Sequence, residues 1–563
     1  MWASVKPPLS KETLTVLKHF HFDAPTPVQS AVIPLMLKKK EVVAEAVTGS
    51  GKTLAFVIPV IENLISQDLQ HNGVFCVVIS PTRDLAQQIH SVFKSFFKTV
   101  RSASSVLLVG GCKTDVSIGN YNRINGMKVV VATPGRFIEL LEMKQFELKN
   151  DIKHIEILIF DEADRLLELG FKNRLNRILT AIPKQRQTCL FSATQTDAVD
   201  DLVRAGIRQP QYVKVQQKSS LDQKTPLLLN NNYLQCEPCE KMAYIFGFLK
   251  EHSNEKIMLF FSTIRAVFYF GHIVKELLPE CNVILMHGKM RKKRYRNLEN
   301  FHNSKKAVLI TTDVMSRGID VADVDWVVHG DAPTNSNCYI HRSGRTARSG
   351  TIGNSLIVLL PNEIKYIEFL EVSMKVPVKP LEHRPLLFEN LSEKIRNMAR
   401  GDREVLEGGT RAFVSFIQSY TKHDCFYIFN TAELDICGLA ESFGLLRLPQ
   451  MPELKGHDTS KFHREATQLS SIKFLDKNRE KQRLERIALL AERKIAEANE
   501  KKKRKKKSKV IRSKFKQKFT NDEINEILTD AAMVKKLKRK KITEQNFDEA
   551  MGISSRPKKV KLK

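Results

Sequence analysis

The sequence predicts an α/β fold, with two parallel-sheet domains in tandem followed by a small helical C-terminal extension and a basic disordered tail. The first observation is that short apolar runs alternate with helix-length segments, at residues 74–79, 106–109, 128–132, 156–160 and 188–191. The second is that this alternation returns further along the chain, at residues 257–261, 283–286, 307–312, 326–329 and 355–360. Such runs are typical of buried parallel strands that are covered by helices on both faces.

Charge and length limit the class of protein. The 563 residues include 91 Lys and Arg against 62 Asp and Glu, a net charge of +29, which predicts a polyanionic partner, either nucleic acid or an anionic membrane surface. No apolar run approaches the ~18 residues of a membrane span, and the N-terminus lacks a signal-peptide layout, so we expect a soluble intracellular protein without a membrane partner. Cys236 and Cys239 form one C-x-x-C pair, but no second pair follows at zinc spacing.

A glycine loop stands between the apolar run 42–44 and an apolar helical run at 54–58. Backbone N–H groups of such a loop, together with the N-terminus of the following helix, suit phosphate oxygens. Lys52 can reach the β- and γ-phosphates of a nucleotide, and the Thr53 hydroxyl can bind Mg²⁺. A chance glycine turn before a helix is the alternative. The loop consists of Ala46, Val47, Thr48, Gly49, Ser50, Gly51, Lys52 and Thr53, with Ala46 in place of the usual first glycine.

An acidic pair, Asp161 and Glu162, directly follows the apolar run 157–160. An aspartate at the tip of a buried strand can hold Mg²⁺ through water, and the adjacent glutamate can polarise an attacking water molecule. A solvated pair on the protein surface is the alternative. Together with the glycine loop, the acidic pair predicts an ATPase.

Gln29 follows two prolines and precedes a helix that we predict from Ser30. A glutamine amide offers one donor and one acceptor, which suits the edge of an adenine. A capped helix start explains the same residues equally well.

Other motifs follow predicted strands, where ligands bind in parallel sheets. They are Pro81-Thr82-Arg83, Thr133-Pro134-Gly135-Arg136, Asp161-Glu162-Ala163-Asp164 and Ser192-Ala193-Thr194. The second domain has no glycine loop of this kind. It carries Arg345 and Arg348, which are three residues apart and therefore predicted on one face of a helix. Two guanidiniums presented together suit a γ-phosphate, whereas a basic nucleic-acid patch or a solvated helix face is the alternative.

Asp161-Glu162-Ala163-Asp164 is the signature of the DEAD-box RNA helicases, and the ordered motifs around it resemble that family over about residues 20–350. The resemblance implies two RecA-like domains, with ATP and Mg²⁺ as cofactors and Thr53 and Asp161 as metal ligands. The chain departs from the family pattern at His21, usually Gly, and at Asp84, usually Glu. Trp2 is a candidate for the aromatic residue that stacks on adenine.

The same resemblance implies roles for individual residues. Lys52, Asp161, Glu162, Arg345 and Arg348 would be catalytic, Gln29 would read adenine, and Asp320 would contact the ribose. The residues expected at the RNA backbone are Pro81, Thr82, Arg83, Thr133, Pro134, Gly135, Arg136, Thr311 and Gly318. Those expected to couple the two domains are Asp164, Ser192, Thr194 and His341.

The predicted domain boundaries are 1–215 for the ATP-binding domain, 216–230 for a linker, 231–375 for the second domain, 376–460 for the C-terminal extension and 461–563 for a charged helix and tail. In the extension, the stretches 412–415, 420–423 and 444–454 resemble the corresponding region of nucleolar helicases of the Spb-type subgroup, which act in large ribosomal subunit assembly. In the tail, 12 of the 18 residues from Lys501 to Lys518 are basic and none is acidic, which predicts a nuclear or nucleolar address and an RNA-binding arm. A merely solvating tail is the alternative.

We therefore expect a monomeric ATP-dependent RNA helicase of the nucleus and nucleolus that remodels pre-ribosomal RNA, with ribosome-assembly proteins as possible partners. The alternative is an ATP-gated RNA clamp or scaffold without productive unwinding. A DNA helicase is a third hypothesis.

Overall fold

The computed structural model describes Trp2 and residues 5–46, 49–66, 73–100, 103–143, 146–194, 196–215, 228–290, 292–313, 324–347, 352–493 and 521–538. The chain divides into two compact units, Met1–Ile472 and Lys473–Lys563. Within the first unit we distinguish a first lobe (residues 2–215), a second lobe (228–380) and a C-terminal extension (381–472).

Seven parallel strands form the sheet of the first lobe. They are β1 (Val42–Glu45), β2 (Gly73–Ile79), β3 (Ala103–Leu108), β4 (Met127–Ala132), β5 (Ile157–Phe160), β6 (Gln187–Ser192) and β7 (Gln211–Lys214). Their spatial order is β3-β4-β2-β5-β6-β1-β7. Strands β2, β4, β5 and β6 are buried along their whole length, so their apolar sequences require helices on both faces of the sheet. The prediction of a parallel sheet is confirmed.

Ten helices accompany this sheet in the described part of the first lobe. They are α1 (Lys11–His19), α2 (Pro27–Leu37), α3 (Lys52–Ile65), α4 (Arg83–Phe97), α5 (Thr114–Asn122), α6 (Pro134–Glu142), α7 (Leu148–Asp151), α8 (Ala163–Glu168), α9 (Lys172–Ala181) and α10 (Asp197–Gly206). Helix α2 begins at Pro27, not at Ser30 as predicted, because Thr26 and Gln29 form a capping box around Pro27, whose missing N–H suits the first helical position.

The second lobe repeats the strand order of the first, β10-β11-β9-β12-β13-β8-β14. Its strands are β8 (Leu229–Gln235), β9 (Lys256–Phe260), β10 (Val283–Met286), β11 (Ala307–Thr311), β12 (Trp326–His329), β13 (Gly353–Leu359) and β14 (Lys379–Pro380). Its helices are α11 (Lys241–Glu251), α12 (Ile264–Leu277), α13 (Lys292–Asn303), α14 (Asn337–Ser343) and α15 (Lys365–Val372).

Two predicted boundaries of this lobe shift. Strand β8 begins inside the predicted linker 216–230, of which residues 216–227 lie outside the described part of the chain. Strand β14 pairs with β8, so the sheet continues past the predicted end at residue 375. Both strands escaped the sequence analysis because β8 is rich in asparagine and β14 is only two residues long.

The C-terminal extension contains α16 (Leu391–Gly401), α17 (Arg403–Tyr420) and α18 (Ile436–Ser442). It shares one hydrophobic core with the second lobe. For example, the rings of Phe270 on α12 and Phe443 lie 4.9 Å apart, edge to face. The core also takes in Phe462 and Ile472, so the folded extension continues beyond the predicted limit at residue 460. The sequence analysis did not place these two apolar residues in the extension because the sequence around them is highly charged.

The second unit contains a helix over residues 477–493, α19, and a further helix, α20 (Asn521–Lys538). Most side chains of α19 are exposed, in agreement with the predicted charged helix. The basic run 501–518 lies outside the described residues. No helix in the described part of the chain is long and apolar enough to span a membrane.

Candidate functional site

The glycine loop joins β1 to α3, and its described residues have the features of a phosphate cradle. Gly49 and Gly51 have φ angles of 81° and 89°, a left-handed region that favours glycine. Lys52 is the first residue of α3, and its buried ammonium donates to the Ala46 carbonyl at 2.7 Å. Thr53 follows in the first helical turn. The cradle therefore fits a polyphosphate, whose oxygens Lys52 would meet in place of the carbonyl. Val47 and Thr48 lie outside the described residues.

Gln29 holds this loop in place. Its Nε2 donates to the Gly51 carbonyl at 3.0 Å, and its Oε1 accepts from the Thr26 N–H at 2.8 Å. A Cβ atom on Gly51 would lie only 2.5 Å from the Gln29 amide nitrogen, and this contact together with the left-handed backbone favours glycine at residue 51. Adenine recognition by Gln29 stays a prediction. Trp2 is buried in the core and donates to the Phe22 carbonyl at 2.7 Å, so its ring is not free to stack on a base.

The acidic pair stands at the carboxyl end of β5. Asp161 and Glu162 are only 3% and 5% exposed. Burial raises the pKa of Asp161 to about 7, and the charge of Glu162 adds to this, whereas Lys52 opposes it. Glu162 has a left-handed backbone with φ 47°, which costs roughly 1 kcal/mol or more for a residue with a Cβ.

Such buried carboxylates are suited to a cation. No group of three or more His, Cys, Asp or Glu side chains among the described residues could hold a metal ion by itself. A smaller donor set, one carboxylate with one hydroxyl, suits Mg²⁺, which in proteins is usually bound by one or two carboxylates together with water and substrate phosphates. Asp161 and the Thr53 hydroxyl are the residues that would hold it.

Three of the predicted coupling residues meet at one point between the lobes. Asp164 Oδ2 accepts from the Thr194 hydroxyl at 3.1 Å and lies 3.4 Å from Nε2 of His341, which belongs to α14 of the second lobe. The Ser192 hydroxyl donates to the Thr194 carbonyl at 2.7 Å. Asp164 and His341 are both fully buried side chains. The four residues therefore form one chain of contacts across the two lobes.

Arg345 also belongs to this region, but not on a helix as predicted. Helix α14 ends at Ser343 with Gly344 as its cap, and Arg345 follows, with its Nε donating to the His341 carbonyl at 3.2 Å. Its side chain is buried. Arg348 lies outside the described residues, as do Gly318 and Asp320.

Arg342 is a residue that the sequence analysis missed. Its Nη2 donates to Asp313 Oδ2 at 2.9 Å, and its Nη1 donates to the Asp331 carbonyl at 2.8 Å. Burial is the largest single effect and lowers the pKa of Arg342, but the nearby acidic groups, Asp313 foremost, together raise this pKa above its usual value. Asp313 is 29 residues away in the chain, so only the fold could reveal the pair.

Of the residues predicted at the RNA backbone, those that the structure describes lie at the carboxyl ends of β2, β4 and β11. Thr82 caps α4, and Arg83 packs so closely on Gly111 that a Cβ there would lie 2.0 Å from Arg83 Nη1. The sequence analysis did not predict this close approach of Gly110 and Gly111 to the Arg83 side chain. Arg136 is buried and donates to the Cys112 carbonyl at 2.7 Å.

Most of the other predicted RNA residues that the structure describes are buried. Thr311 is fully buried, and its hydroxyl donates to the Thr312 carbonyl at 3.3 Å. Pro81, Thr133 and Pro134 are buried and Gly135 is half-buried. RNA contact by this set stays a prediction.

Comparison with known proteins settles the family. The DEAD/DEAH box helicase model matches residues 26–202, the helicase conserved C-terminal domain matches 240–350, and the ATP-dependent rRNA helicase SPB4-like C-terminal extension matches 402–451. The mouse protein ATP-dependent RNA helicase DDX55 is 42% identical over 584 residues, 99% of this chain and 96% of the relative. The chain belongs to the DEAD-box ATP-dependent RNA helicases, in the Spb4-type subgroup.

Further relatives agree with this. DEAD-box ATP-dependent RNA helicase 18 of Oryza sativa is 38% identical, covering 98% of this chain and 88% of the relative. Mss116p bound to single-stranded RNA and AMP-PNP has a TM-score of 0.69 at 27% identity, covering 77% of this DEAD-box chain and 88% of that protein. Dbp5 of S. cerevisiae, bound to RNA and ADP BeF3, has a TM-score of 0.58 at 25% identity, covering 66% and 94%. The two RecA-like domains predicted from the resemblance are confirmed.

Proposed function

We propose that this helicase couples ATP hydrolysis to local remodelling of pre-ribosomal RNA, or of RNA–protein contacts, during assembly of the large ribosomal subunit. The observation that carries the proposal is the contact chain from Thr194 through Asp164 to His341. It joins α8, which follows the acidic pair, to α14, which precedes Arg345. Because neither lobe holds the whole site, hydrolysis requires the two lobes to come together.

The residues take distinct roles in the ATP site. Lys52 and the loop N–H groups bind the β- and γ-phosphates, and Asp161 and Thr53 hold Mg²⁺. Bound Mg²⁺ neutralises charge on the phosphate oxygens. Glu162 orients the attacking water and accepts its proton, and the guanidiniums of Arg345 and Arg348 stabilise charge on the γ-phosphate as the bond to the β-phosphate breaks.

RNA is the proposed polyanion because the net charge of +29 predicts a polyanionic partner and because Mss116p and Dbp5, two structural neighbours, were solved with RNA. Contacts from the ends of β2, β4 and β11 to the sugar-phosphate backbone carry no base information, so sequence specificity should be low. One strand held in a bent path cannot pair, which opens a duplex locally.

The ribosomal assignment rests on the SPB4-like extension, whose family description names an rRNA helicase. The basic run 501–518 would direct the protein to the nucleolus. We propose that it acts as a monomer, with assembly proteins as additional partners. An ATP-gated clamp that binds RNA without unwinding it is the second candidate, since the same contact chain would serve either activity.

Two assays in parallel test the proposal. RNA-stimulated ATP hydrolysis together with displacement of a short RNA strand is the expected result for the helicase. Hydrolysis without displacement would favour the clamp, and the absence of RNA-stimulated hydrolysis would refute both. Crosslinking the protein in cells and sequencing the attached RNA should recover pre-ribosomal RNA, and recovery of other RNA alone would refute the ribosomal role.

A further inference from the structure

Strand β8 lies between β13 and β14 in the second sheet, just as β1 lies between β6 and β7 in the first. Ala46 follows β1, and its N–H donates to the Ser192 carbonyl of β6 at 3.1 Å. Cys236 follows β8, and its N–H donates to the Leu359 carbonyl of β13 at the same distance. A short loop follows in both lobes, and each loop leads into a helix whose first residue is a buried lysine, Lys52 of α3 or Lys241 of α11. The second lobe therefore retains the outline of a nucleotide site.

This second site cannot bind Mg²⁺ and nucleotide as the first does. The loop 236–240 contains no glycine. The N–H of Asp161 donates to the carbonyl of Ile79, the last residue of β2, at 3.0 Å. The N–H of Gly330 donates to the carbonyl of Phe260, the last residue of β9, at the same distance. Gly330 thus stands where the metal-binding Asp161 stands, and a Cβ there would lie 2.9 Å from the Phe261 ring. A carboxylate side chain at this position would have to displace that ring.

The C-terminal extension fills the space instead. The N–H of Met242, in the first turn of α11, donates to the Ser442 hydroxyl at 3.1 Å. First-turn N–H groups have no partner within their helix and bind phosphate in nucleotide sites. The Lys241 ammonium, on a side chain buried at 4% exposure, lies 6.0 Å from the centre of the Phe416 ring on α17. A hydroxyl and an aromatic ring of the extension therefore replace the nucleotide.

The space that remains is a cavity of about 10 Å³, which holds one water molecule at most. Its charged lining residues are Lys241, Asp331 and Glu363, and the extension contributes Phe416, Tyr420 and other side chains. The Tyr420 hydroxyl accepts from Asn362 Nδ2 at 3.0 Å, which ties the end of α17 to the second lobe.

From this anchored position the extension reaches the segment that leads from β12 into α14. The Asp424 N–H donates to the Thr334 carbonyl at 2.9 Å, and Cys425 Sγ lies 3.4 Å from the Ser336 hydroxyl. The start of α14 is thereby held by the extension. Helix α14 carries His341, and Arg345 follows its end.

We propose that the C-terminal extension is a permanent internal ligand of the degenerate nucleotide site in the second lobe, and that it thereby positions α14 and Arg345 for the ATP site of the first lobe. Ser442 and Tyr420 are positioning residues in this proposal: they contact Met242 and Asn362 of the second lobe and so anchor the extension, which in turn holds the start of α14. The positioning of Arg345 for ATP hydrolysis is the kinetic half of this inference, and it rests on the proposed ATPase function. The packing of the extension into the degenerate site is the occupancy half, and it does not rest on that function.

The occupancy half is tested by amide hydrogen exchange at Met242 in the full-length protein. Ser442→Ala removes the acceptor of this N–H, and exchange at Met242 should become about tenfold faster or more. The control is Gln418→Ala, an exposed position on α17, which should leave the exchange unchanged. Unchanged exchange in Ser442→Ala would overturn the internal-ligand assignment, whether or not the protein hydrolyses ATP.

The kinetic half is tested with Tyr420→Phe and Ser442→Ala. At saturating RNA, kcat for ATP should fall about three- to tenfold while KM for ATP stays unchanged, because misplacing Arg345 affects the transition state and leaves the first-lobe cradle intact. In an Arg345→Lys background Tyr420→Phe should add little further loss, since both changes act on one group. Full additivity, or an unchanged kcat in both variants, would overturn the positioning role. An inactive wild-type protein would refute the proposed function, and the positioning role with it, but would leave the exchange result standing.

Discussion

Asp84 of the first lobe and Arg294 of the second lobe form an ion pair, with 2.8 Å between Oδ2 and Nη2. Asp84 lies in the first turn of α4, next to Arg83, and Arg294 lies on α13. Burial lowers the pKa of Arg294, Asp84 opposes this, and Arg83 adds to the lowering. The pair therefore joins the lobes at a place separate from the Asp164–His341 contact, directly beside a predicted RNA contact.

Breaking this pair should weaken the closed arrangement of the lobes. We expect Arg294→Met to raise the RNA concentration that gives half-maximal ATPase stimulation about two- to fivefold, the range for a partly exposed ion pair. The effect should shrink at high salt, because salt screens such pairs. The charge-swapped double variant Asp84→Arg with Arg294→Asp should recover part of the loss.

The matched control is Arg204→Met, which removes an arginine from a surface pair within the first lobe, 3.8 Å from Asp201. It should leave RNA stimulation unchanged. If Arg204→Met and Arg294→Met shift the curve equally, the shift reflects lost positive charge and not lobe closure.

The sequence could reveal the strands whose burial is complete and the motifs whose chemistry is local. Strands such as β2 and β5 are uninterrupted apolar runs, and the glycine loop and acidic pair stand beside them. Strand β7 was missed because it is an edge strand with exposed side chains. The helix predicted through Arg345 was wrong because Gly344 ends α14 one residue earlier.

Contacts between distant residues were beyond the reach of the sequence for a different reason. The partners of Arg342 and Arg294 come from other strands and from the other lobe, and no local pattern marks a pair that only the assembled sheets bring together. The same holds for Ser442, whose hydroxyl accepts a hydrogen bond from the N–H of Met242, 200 residues earlier in the chain.

Asp164→Asn should uncouple the lobes while preserving nucleotide binding. The amide keeps the shape of the carboxylate but loses the charge that faces His341 and one acceptor oxygen. We expect RNA-stimulated hydrolysis to fall about tenfold or more, because the loss affects a buried charged contact, with little change in the affinity for a fluorescent ADP analogue. Asp197→Asn, in the first turn of α10, is the control. Equal loss of nucleotide affinity would mean that Asp164 supports the ATP site itself.

Lys52→Ala should abolish ATP hydrolysis, because the ammonium that faces the β- and γ-phosphates is removed. The fold should survive, since the glycine loop stands at the carboxyl end of the sheet, where Gly49 is exposed, and not within the apolar core. Steady-state hydrolysis with saturating RNA is the measurement, and Lys11→Ala on the exposed face of α1 is the control. Wild-type turnover in Lys52→Ala would refute the active-site assignment.

Glu162→Gln should separate binding from chemistry. The amide keeps the shape of the side chain but is a poor base, so ATP and RNA should still close the lobes while hydrolysis and release stall. We expect RNA to dissociate more slowly in ATP than it does from the wild-type protein, as measured by chase with unlabelled RNA. The control is Glu12→Gln on α1. Unchanged RNA dissociation together with lost hydrolysis would show that closure and release are not coupled as proposed.

Deleting residues 501–563 should weaken RNA binding without impairing the ATP site. The glycine loop, the acidic pair and Arg345 all lie far before the basic run that begins at Lys501. A basic arm acts by releasing counterions, with a salt slope of about −0.7 per phosphate neutralised on a single strand. If the arm neutralises about five phosphates, its loss should flatten the slope of log affinity against log salt by about 3.5 units.

The measurement is ATPase activity against RNA concentration at several salt concentrations, with full-length and truncated protein. The RNA concentration for half-stimulation should rise after truncation, while the maximal rate at saturating RNA should change little because the residues that meet the phosphates remain. The truncated protein should also leave the nucleolus if the run is an address. An unchanged salt slope would show that the arm is not an RNA contact. A collapsed maximal rate would show instead that the tail supports the closed lobes directly, which its composition gives no reason to expect.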